Sequence, residues 1–224
     1  MLDRKGFDLW ADGYDRSVGL SDEGNAYPFA GYKEVLGEIY DIIMHSRHAA
    51  VLDIGFGTGT LTARLYAQKH TIYGQDFSSR MIGLASEKMP DAHLYLGDFT
   101  RGLVKPLLAR RYDFIVATYS LHHLTDAQKI PFLSELTTLL RNGGKILIGD
   151  VAFADRAKLE SCRQRAGEDW DDDESYFVVD ELRDAFPGLV FIPKSFCAGV
   201  LILPQAAGSK PSGSCRETEG ENDA

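Results

Sequence analysis

Short apolar runs alternate along the chain with stretches in which apolar positions recur at helical spacing. The runs rich in apolar and β-branched residues lie at 49–54, 71–74, 93–96, 112–118 and 145–150. Strands that alternate with helices in this way form a parallel sheet built from βαβ units. Two further runs, at 190–194 and 196–203, are so close together that they can pair only as an antiparallel hairpin. The pattern predicts a doubly wound α/β fold with a seven-stranded, mostly parallel sheet and an antiparallel last strand.

The same pattern indicates how the chain is organised into domains. Helical spacing of apolar residues predicts a helix over 28–47, so that residues 1–48 form a helical cap before a core domain at 49–205. Within that domain, residues 151–180 are expected to form a lid insertion that covers a cleft together with the N-terminal segment. Residues 206–224 are Gly/Ser-rich and acidic, have nothing to bury, and are predicted to be disordered.

The segment after the apolar run at 112–118 carries two conflicting helix signals. Thr125 and Gln128 have the spacing of a capping box, which favours a helix start. Pro131 follows closely, and proline inside a helix removes a backbone hydrogen bond. We therefore expect a short first turn, then a helix that begins at Pro131 and stops at the Asn-Gly pair of 142–143.

Composition and charge narrow the class of protein. Of the 224 residues, 44% are hydrophobic, which is enough for one globular domain with its own core. The three cysteines include no Cys-x-x-Cys pair, a usage that favours a reducing cytoplasm and argues against structural zinc. We expect no signal peptide and no membrane span. The formal net charge of −9 disfavours nucleic acid and anionic membrane as partners, so a small-molecule substrate is expected.

The stretch VLDIGFGTGTL, residues 51–61, places three glycines at the end of the first apolar run. Gly55, Gly57 and Gly59 allow a tight turn and close approach of a ligand to the backbone. A helix that starts near residue 58 would point its free N–H groups at an anionic group there. Such a loop also occurs where a helix merely packs against a strand. Whether this one binds a ligand is therefore judged from the residues at the ends of the next two strands.

Polar residues follow the second and third predicted strands as well. Asp76 ends the second strand, where a carboxylate can accept both hydroxyls of a ribose. Asp98 and Phe99 follow the third strand and supply a carboxylate, a backbone N–H and a ring suited to adenine. Each feature alone also fits an ordinary turn. Because ligands of open α/β sheets bind beyond the carboxyl ends of the strands, the three sites together predict one nucleoside-shaped cleft.

With these motifs the sequence resembles the class I S-adenosylmethionine-dependent methyltransferases. The matching segments are DIGFGTG, YGQDFS, GDF, ATYSLHHL and LLRNGGKILIGD, at residues 53–59, 73–78, 97–99, 117–124 and 139–150. The segment FDLWADGYD, at 7–15, is similar to the N-terminus of small bacterial members of the YrrT kind. The resemblance implies a Rossmann-like methyltransferase fold that transfers a methyl group to a small-molecule acceptor. It also implies that S-adenosylmethionine is held by Tyr14, Asp53, Gly55, Gly57, Thr58, Asp76, Phe77, Met81, Asp98, Phe99, Thr118 and Tyr119.

Two alternatives to this interpretation remain open. A nicotinamide dinucleotide is disfavoured, because its GxGxxG fingerprint would need the third glycine one place later, where this chain has Thr60. A protein of the same fold that only senses S-adenosylmethionine, or has lost activity, would keep the same binding residues. Sequence alone separates that protein from an enzyme poorly.

Catalytic residues are harder to predict, because the donor sulfonium is already activated and alignment supplies much of the rate. A general base is needed only when the acceptor carries a proton that must leave. The candidates are His122, His123, Tyr14 and Asp150, and each also has a plain structural interpretation.

No metal site is expected from the sequence. His45 and His48 are spaced i and i+3, but no third ligand is near and histidines are favourable at a helix C-terminus. The acidic run at 169–175 could attract a cationic substrate or a metal, but such a run is typical of a solvated loop. It could also contribute to the substrate site, with Trp170 and Tyr176 as possible lining residues.

Overall fold

A computed structural model describes residues 25–205 of the chain. The α-helices are α1 (Tyr32–Met44), α2 (Thr62–Ala67), α3 (Ser79–Lys88), α4 (Lys105–Leu108), α5 (Asp126–Thr138), α6 (Arg156–Ala166) and α7 (Val179–Leu182). The strands are β1 (Ala50–Ile54), β2 (Thr71–Asp76), β3 (His93–Leu96), β4 (Tyr112–Thr118), β5 (Leu140–Phe153), β6 (Phe177–Val178), β7 (Val190–Pro193) and β8 (Ala198–Pro204). Short 3-10 helices lie at Phe99–Arg101, Leu121–His123 and Gly167–Asp169.

The strands form one sheet in the order β3-β2-β1-β4-β5-β8-β7. Strands β1 to β5 run parallel, whereas β8 lies antiparallel to both β5 and β7. The predicted parallel sheet with an antiparallel closing hairpin is therefore confirmed. The two-residue strand β6 adds a short parallel pairing at the end of β5, where Ala152 faces Phe177. The strand order reverses between β1 and β4, which is where open α/β sheets bind ligands.

Both faces of the sheet are covered by helices. On one face Val51 and Val116 pack in a cluster with Ile39 of α1, and on the other Leu52 packs with Leu133 of α5. Helix α1 lies directly on β5, because a Cβ built on Gly149 would stand only 2.4 Å from Val35 Cγ1. This double cover explains why the central strands read as continuous apolar runs in the sequence.

The predicted helix start at Pro131 is wrong. Helix α5 runs without a break from Asp126 to Thr138 and contains the proline. Its capping box is formed by Thr125 and Gln128 as predicted. A proline inside a helix costs about 3 kcal/mol of stability. Burial of an apolar face that includes Phe132 and Leu136 offsets this cost and keeps the helix continuous.

The end predicted for the same helix is also wrong. The helix ends at Thr138 and β5 already begins at Leu140, so the Asn-Gly pair of 142–143 belongs to the strand. An irregular register between Tyr112 and Phe114 of β4 accommodates the extra residues of β5 as a bulge. The glycine of the pair has a φ of +78°, which marks the bulge and not a helix end.

Several other bounds differ from the predicted ones by a few residues. Helix α1 is shorter than the predicted 28–47, and α2 begins at Thr62 and not near residue 58. Trp10, Tyr14, residues 1–24 of the predicted cap and the tail at 206–224 lie outside the described residues. Among residues 25–205, every helix is too short or too polar to cross a bilayer.

Candidate functional site

A cavity opens at the carboxyl ends of β1, β2 and β4, where the sequence predicts a cleft. The predicted site residues that line it are Asp53, Gly55, Gly57, Thr58, Asp76, Phe77, Met81, Phe99, Thr118, Tyr119 and the histidines His122 and His123. The lining residues that the sequence did not single out are Pro28, Phe29, Tyr32, Leu36, Phe56, Thr60, Leu61, Ser120, Val151, Asp171 and Glu174. Tyr14 lies outside the described residues, so its place in the site stays a prediction.

The glycine-rich loop after β1 forms one wall through its backbone. Gly55 has a φ of +69°, and a Cβ built on it would stand 2.6 Å from Ser120 Cβ. Ser120 in turn donates a hydrogen bond of 2.8 Å from its Oγ to the carbonyl of Ile54. Gly57 also has a positive φ, but a Cβ built there would meet no atom within 4 Å. The loop thus needs Gly55 for its own packing, and Gly57 leaves room beside the backbone.

Asp76 fastens this loop to the neighbouring strand. Its Oδ2 accepts a 2.9 Å hydrogen bond from the Gly57 N–H, and its Oδ1 accepts one of 2.9 Å from the Ser78 N–H. Ser78 then caps α3 by accepting a hydrogen bond from the Met81 N–H. The carboxylate is therefore held rigidly in the cavity wall, and it organises the loop as well as facing the cavity.

Asp53 is the most unusual acid of this wall. It is almost fully buried, and its Oδ2 accepts a 2.9 Å hydrogen bond from the Thr62 hydroxyl. Among residues 25–205, its Oδ1 has no hydrogen-bond partner. Burial, assisted by the negative charge of Asp76, raises the pKa of Asp53 to about 7. A buried carboxylate oxygen in this position fits a positively charged ligand group, such as the ammonium of S-adenosylmethionine.

Only one of the two residues predicted to bind adenine lines the cavity. Phe99 is buried and lines the cavity. Asp98 is exposed and is not among the lining residues. Its Oδ1 accepts hydrogen bonds from the backbone N–H and the hydroxyl of Thr100, at 2.9 and 2.6 Å. The carboxylate therefore caps a short 3-10 helix in this structure.

Aromatic rings form the wall between β4 and α1. Tyr119 has a φ of +49°, a left-handed conformation that is uncommon outside glycine and typical of functional sites. Its ring lies 5.2 Å from that of Phe29 and 5.1 Å from that of Tyr32, measured between centroids. The start of α1 thereby closes one side of the cavity with aromatic surface.

His122 lies between two carboxylates. Its Nδ1 is 2.7 Å from Oδ1 of Asp150, and its Nε2 is 3.5 Å from Oε1 of Glu174. Burial favours the neutral ring, but both carboxylates outweigh that effect and raise the pKa of His122. Burial and the adjacent His122 lower the pKa of His123 to about 4. Asp150 is fully buried behind His122 and does not line the cavity.

A buried lysine fixes the loop that carries Glu174. Lys129 Nζ donates hydrogen bonds of 2.6 and 3.2 Å to the carbonyls of Ser175 and Tyr176. The Ser175 N–H donates to the carbonyl of His122 at 2.9 Å, and the Tyr176 hydroxyl donates to Glu174 Oε2 at 2.9 Å. The sequence did not single out Lys129, and it indicated Glu174 only as part of the acidic run at 169–175. The sequence signal for this buried contact was the position of a lysine on the otherwise apolar face of α5.

The acidic run at 169–175 is only partly a solvated loop. Asp171 and Glu174 line the cavity, whereas Trp170 and Tyr176 do not. Those two rings pack against each other at 4.9 Å and against Tyr27 at 5.3 and 6.0 Å. Trp170 and Tyr176 therefore support the loop and do not line the cavity, since Trp170 stacks on Tyr27 and Tyr176 meets Tyr27 edge-on.

The other two histidines singled out in the sequence contact backbone carbonyls. His45 Nδ1 lies 2.7 Å from the carbonyl oxygen of Asp41, and His48 Nδ1 lies 3.2 Å from that of Lys69. Both histidines are exposed. These contacts agree with a structural role.

Sequence relatives of this chain are methyltransferases. The profile of a family described as a methyltransferase domain matches residues 51–144. An uncharacterized methyltransferase of Geobacillus thermodenitrificans (strain NG80-2) is 38% identical over 188 residues, which cover 80% of this chain and 84% of the relative. Another, from Anoxybacillus flavithermus (strain DSM 21510 / WK1), is 39% identical over 155 residues, or 69% of this chain and 70% of the relative.

Solved structures share the fold at much lower identity. The magnesium protoporphyrin IX methyltransferase of Synechocystis PCC 6803, with bound SAH, gives a TM-score of 0.64 at 16% identity and covers 89% of this chain and 97% of its own. The N-methyltransferase NodS of Bradyrhizobium japonicum WM9, in complex with S-adenosyl-L-homocysteine, gives 0.59 at 15% identity and covers 87% and 97%. At such identities the likeness shows the fold alone.

Proposed function

Because the chain belongs to the methyltransferase family of these bacterial relatives, with S-adenosylmethionine as methyl donor, we propose that it methylates a small-molecule acceptor bound in the same cavity. The observation that carries the proposal is that two unlike sets of residues line the cavity. One set belongs to the strand-end loops that match the family motifs. The other set comprises His122, His123, Asp171 and Glu174, which a nucleoside does not require. We call them the donor half and the acceptor half.

The donor half suits each part of S-adenosylmethionine. Asp76 accepts the ribose hydroxyls, Phe99 packs on the adenine ring, and Asp53 Oδ1 pairs with the ammonium group. The loop at Gly57 offers the open space that a ligand close to the backbone requires. When bound, the donor supplies a methyl group that its sulfonium already activates.

The acceptor half positions the nucleophile. Transfer of a methyl group is an in-line displacement, so holding the acceptor atom in line supplies much of the rate. The rings of Phe29, Tyr32 and Tyr119 give this half an apolar wall, and Glu174 and His122 give it a polar one. A pocket with both kinds of wall orients a small molecule that carries one polar group, while the aromatic rings exclude water from the reacting atoms.

The test is transfer of label from methyl-labelled S-adenosylmethionine to a metabolite extract. We expect label in a low-molecular-weight product with the wild-type protein and much less with Asp76→Ala at a limiting donor concentration, which serves as the donor-site control. Tight donor binding without transfer to any fraction would contradict an enzyme and favour a sensor of S-adenosylmethionine. Label that enters only protein or nucleic acid would contradict the small-molecule acceptor.

A further inference from the structure

We propose that His122, His123 and Glu174 bind one divalent transition-metal ion at the acceptor end of the cavity. One ligand atom from each of the three side chains lies within 4.8 Å of the other two. His122 Nε2 and Glu174 Oε1 are 3.5 Å apart. Two ligands of a tetrahedral ion, each bonded at about 2.1 Å, stand about 3.4 Å from each other. The spacing of these two atoms is already that of a coordinated pair.

Neighbouring residues orient these ligands as they do in known metal sites. A metal-binding histidine donates its other ring N–H to a carboxylate, which fixes the ligating nitrogen. Asp150 stands 2.7 Å from His122 Nδ1 and so leaves Nε2 on the side of the cavity. Ligating carboxylates are hydrogen-bonded in turn. Tyr176 donates to Oε2 of Glu174, which leaves Oε1 on the side of His122.

The ligand set indicates both the type of ion and the type of site. Two imidazoles and one carboxylate suit Zn²⁺, Fe²⁺, Co²⁺ or Mn²⁺, whereas Mg²⁺ and Ca²⁺ prefer oxygen ligands alone. All three side chains line the cavity. An ion held by three protein ligands at a cavity wall keeps a position open for a further ligand, as catalytic sites do and structural sites do not.

The role of the ion rests on the proposed function. At its open coordination position the ion would bind an oxygen or nitrogen of the acceptor, orient it, and lower its pKa so that its proton passes to water. The acceptor atom then bonds to the methyl carbon as the carbon–sulfur bond of the donor breaks, and S-adenosylhomocysteine leaves. The acceptor is accordingly a small molecule with a metal-binding hydroxyl, carboxylate or amine group at or beside the methylated atom. Sequence analysis missed this arrangement because Glu174 comes from a loop far along the chain from the two histidines.

Metal binding can be measured without donor or acceptor, so a failed methyl-transfer assay leaves the result intact. The tag-free full chain is stripped with chelator and titrated with Zn²⁺ by calorimetry and with Co²⁺ by visible absorption. We expect one ion per chain and Co²⁺ bands typical of a site with four or five ligands. Glu174→Gln and His123→Asn should each weaken binding at least tenfold. Glu168→Gln, an exposed acid near the same loop, should leave it within twofold.

Unchanged donor affinity and unchanged circular dichroism show that the variants are folded. Absence of saturable binding to the wild-type chain would overturn the proposal. So would binding that both Glu174→Gln and His123→Asn retain within twofold. In either case a proton, and not a metal ion, joins His122 to Glu174.

Discussion

The donor half of the cavity is built on the glycine-rich loop and the ends of adjacent strands, whereas the acceptor half depends on a loop that a lysine side chain from a distant helix holds in place. Asp76 reaches across 19 residues to the Gly57 N–H, and it does so between adjacent strands. Lys129 reaches across 46 residues to the carbonyl of Ser175. Backbone geometry of the first kind is shared by any chain with the same strand-loop-helix turn. Contacts of the second kind depend on individual side chains, so the two halves should respond differently to substitution.

Gly55→Ala is expected to have the largest effect on donor affinity, a loss of at least about 100-fold. The new Cβ would stand 2.6 Å from Ser120 Cβ, at a φ of +69° that alanine adopts only with strain. Gly143→Ala is the matched control, because it has a similar φ of +78° but no atom within 4 Å. Calorimetric titration with S-adenosylhomocysteine measures both. Equal losses in the two variants would show that backbone strain, and not the shape of the donor loop, is responsible.

Asp76→Ala should weaken donor binding by about 10- to 100-fold. The substitution removes the acceptor of the proposed ribose hydroxyls, and a hydrogen bond to a charged group contributes about 1.5 to 3 kcal/mol. It also frees the Gly57 and Ser78 N–H groups, so part of the loss comes from the loop.

Asp98→Ala is the comparison for the same calorimetric experiment. Because Asp98 is exposed and outside the cavity lining, we expect less than about a threefold change. A loss as large as that of Asp76→Ala would restore the adenine role that the sequence predicts.

Donor affinity should rise with pH up to about pH 7 and level off above it. The pKa of Asp53 is raised to about 7, and the ammonium of the donor binds its ionised form. Below that pH each unit should change affinity by up to about tenfold. Asp53→Asn should remove the slope, which calorimetry across this range would detect. A slope that persists in Asp53→Asn would assign the proton to another group.

The same acid should make the free protein less stable as pH rises. Its pKa is higher in the folded chain than the ordinary unfolded value, so the folded chain binds this proton more tightly. The free energy of unfolding should therefore fall between about pH 4 and pH 7 and stay level above that range. Denaturant titrations of wild type and Asp53→Asn check the direction.

Lys129→Met should have the smallest effect on donor affinity, within about twofold. It removes the donor to the Ser175 and Tyr176 carbonyls, so the loop before β6 should exchange its amide hydrogens faster. Lys105→Met, on the exposed surface of α4, is the control. Hydrogen exchange and calorimetry on the same samples give both readouts. A parallel fall in donor affinity would show that the two halves are not independent.

The sequence was sufficient for the sheet, and it named most of the residues that line the cavity at the strand ends, because both depend on local patterns. Apolar runs mark the strands, and the glycine-rich loop and Asp76 stand where those strands end. Local rules failed at Pro131, where the buried face of α5 outweighs the cost of the proline. They also predicted an adenine contact for Asp98, whose carboxylate caps a short 3-10 helix in the structure and is not among the lining residues. The contacts of Lys129 with the loop before β6 leave no local signal for Glu174, because they form only when the chain has folded.

The hydrogen bonds that anchor the loop at Ser175 affect how enzymes with this fold can diverge. Lys129 and the His122 carbonyl hold the chain just before it enters β6, on the flank of the sheet. The exposed residues ahead of that anchor can change in length or chemistry without disturbing the strands. Under the proposed function, the choice of acceptor then varies with this short surface loop, whereas the choice of donor stays with the strand-end loops of the sheet.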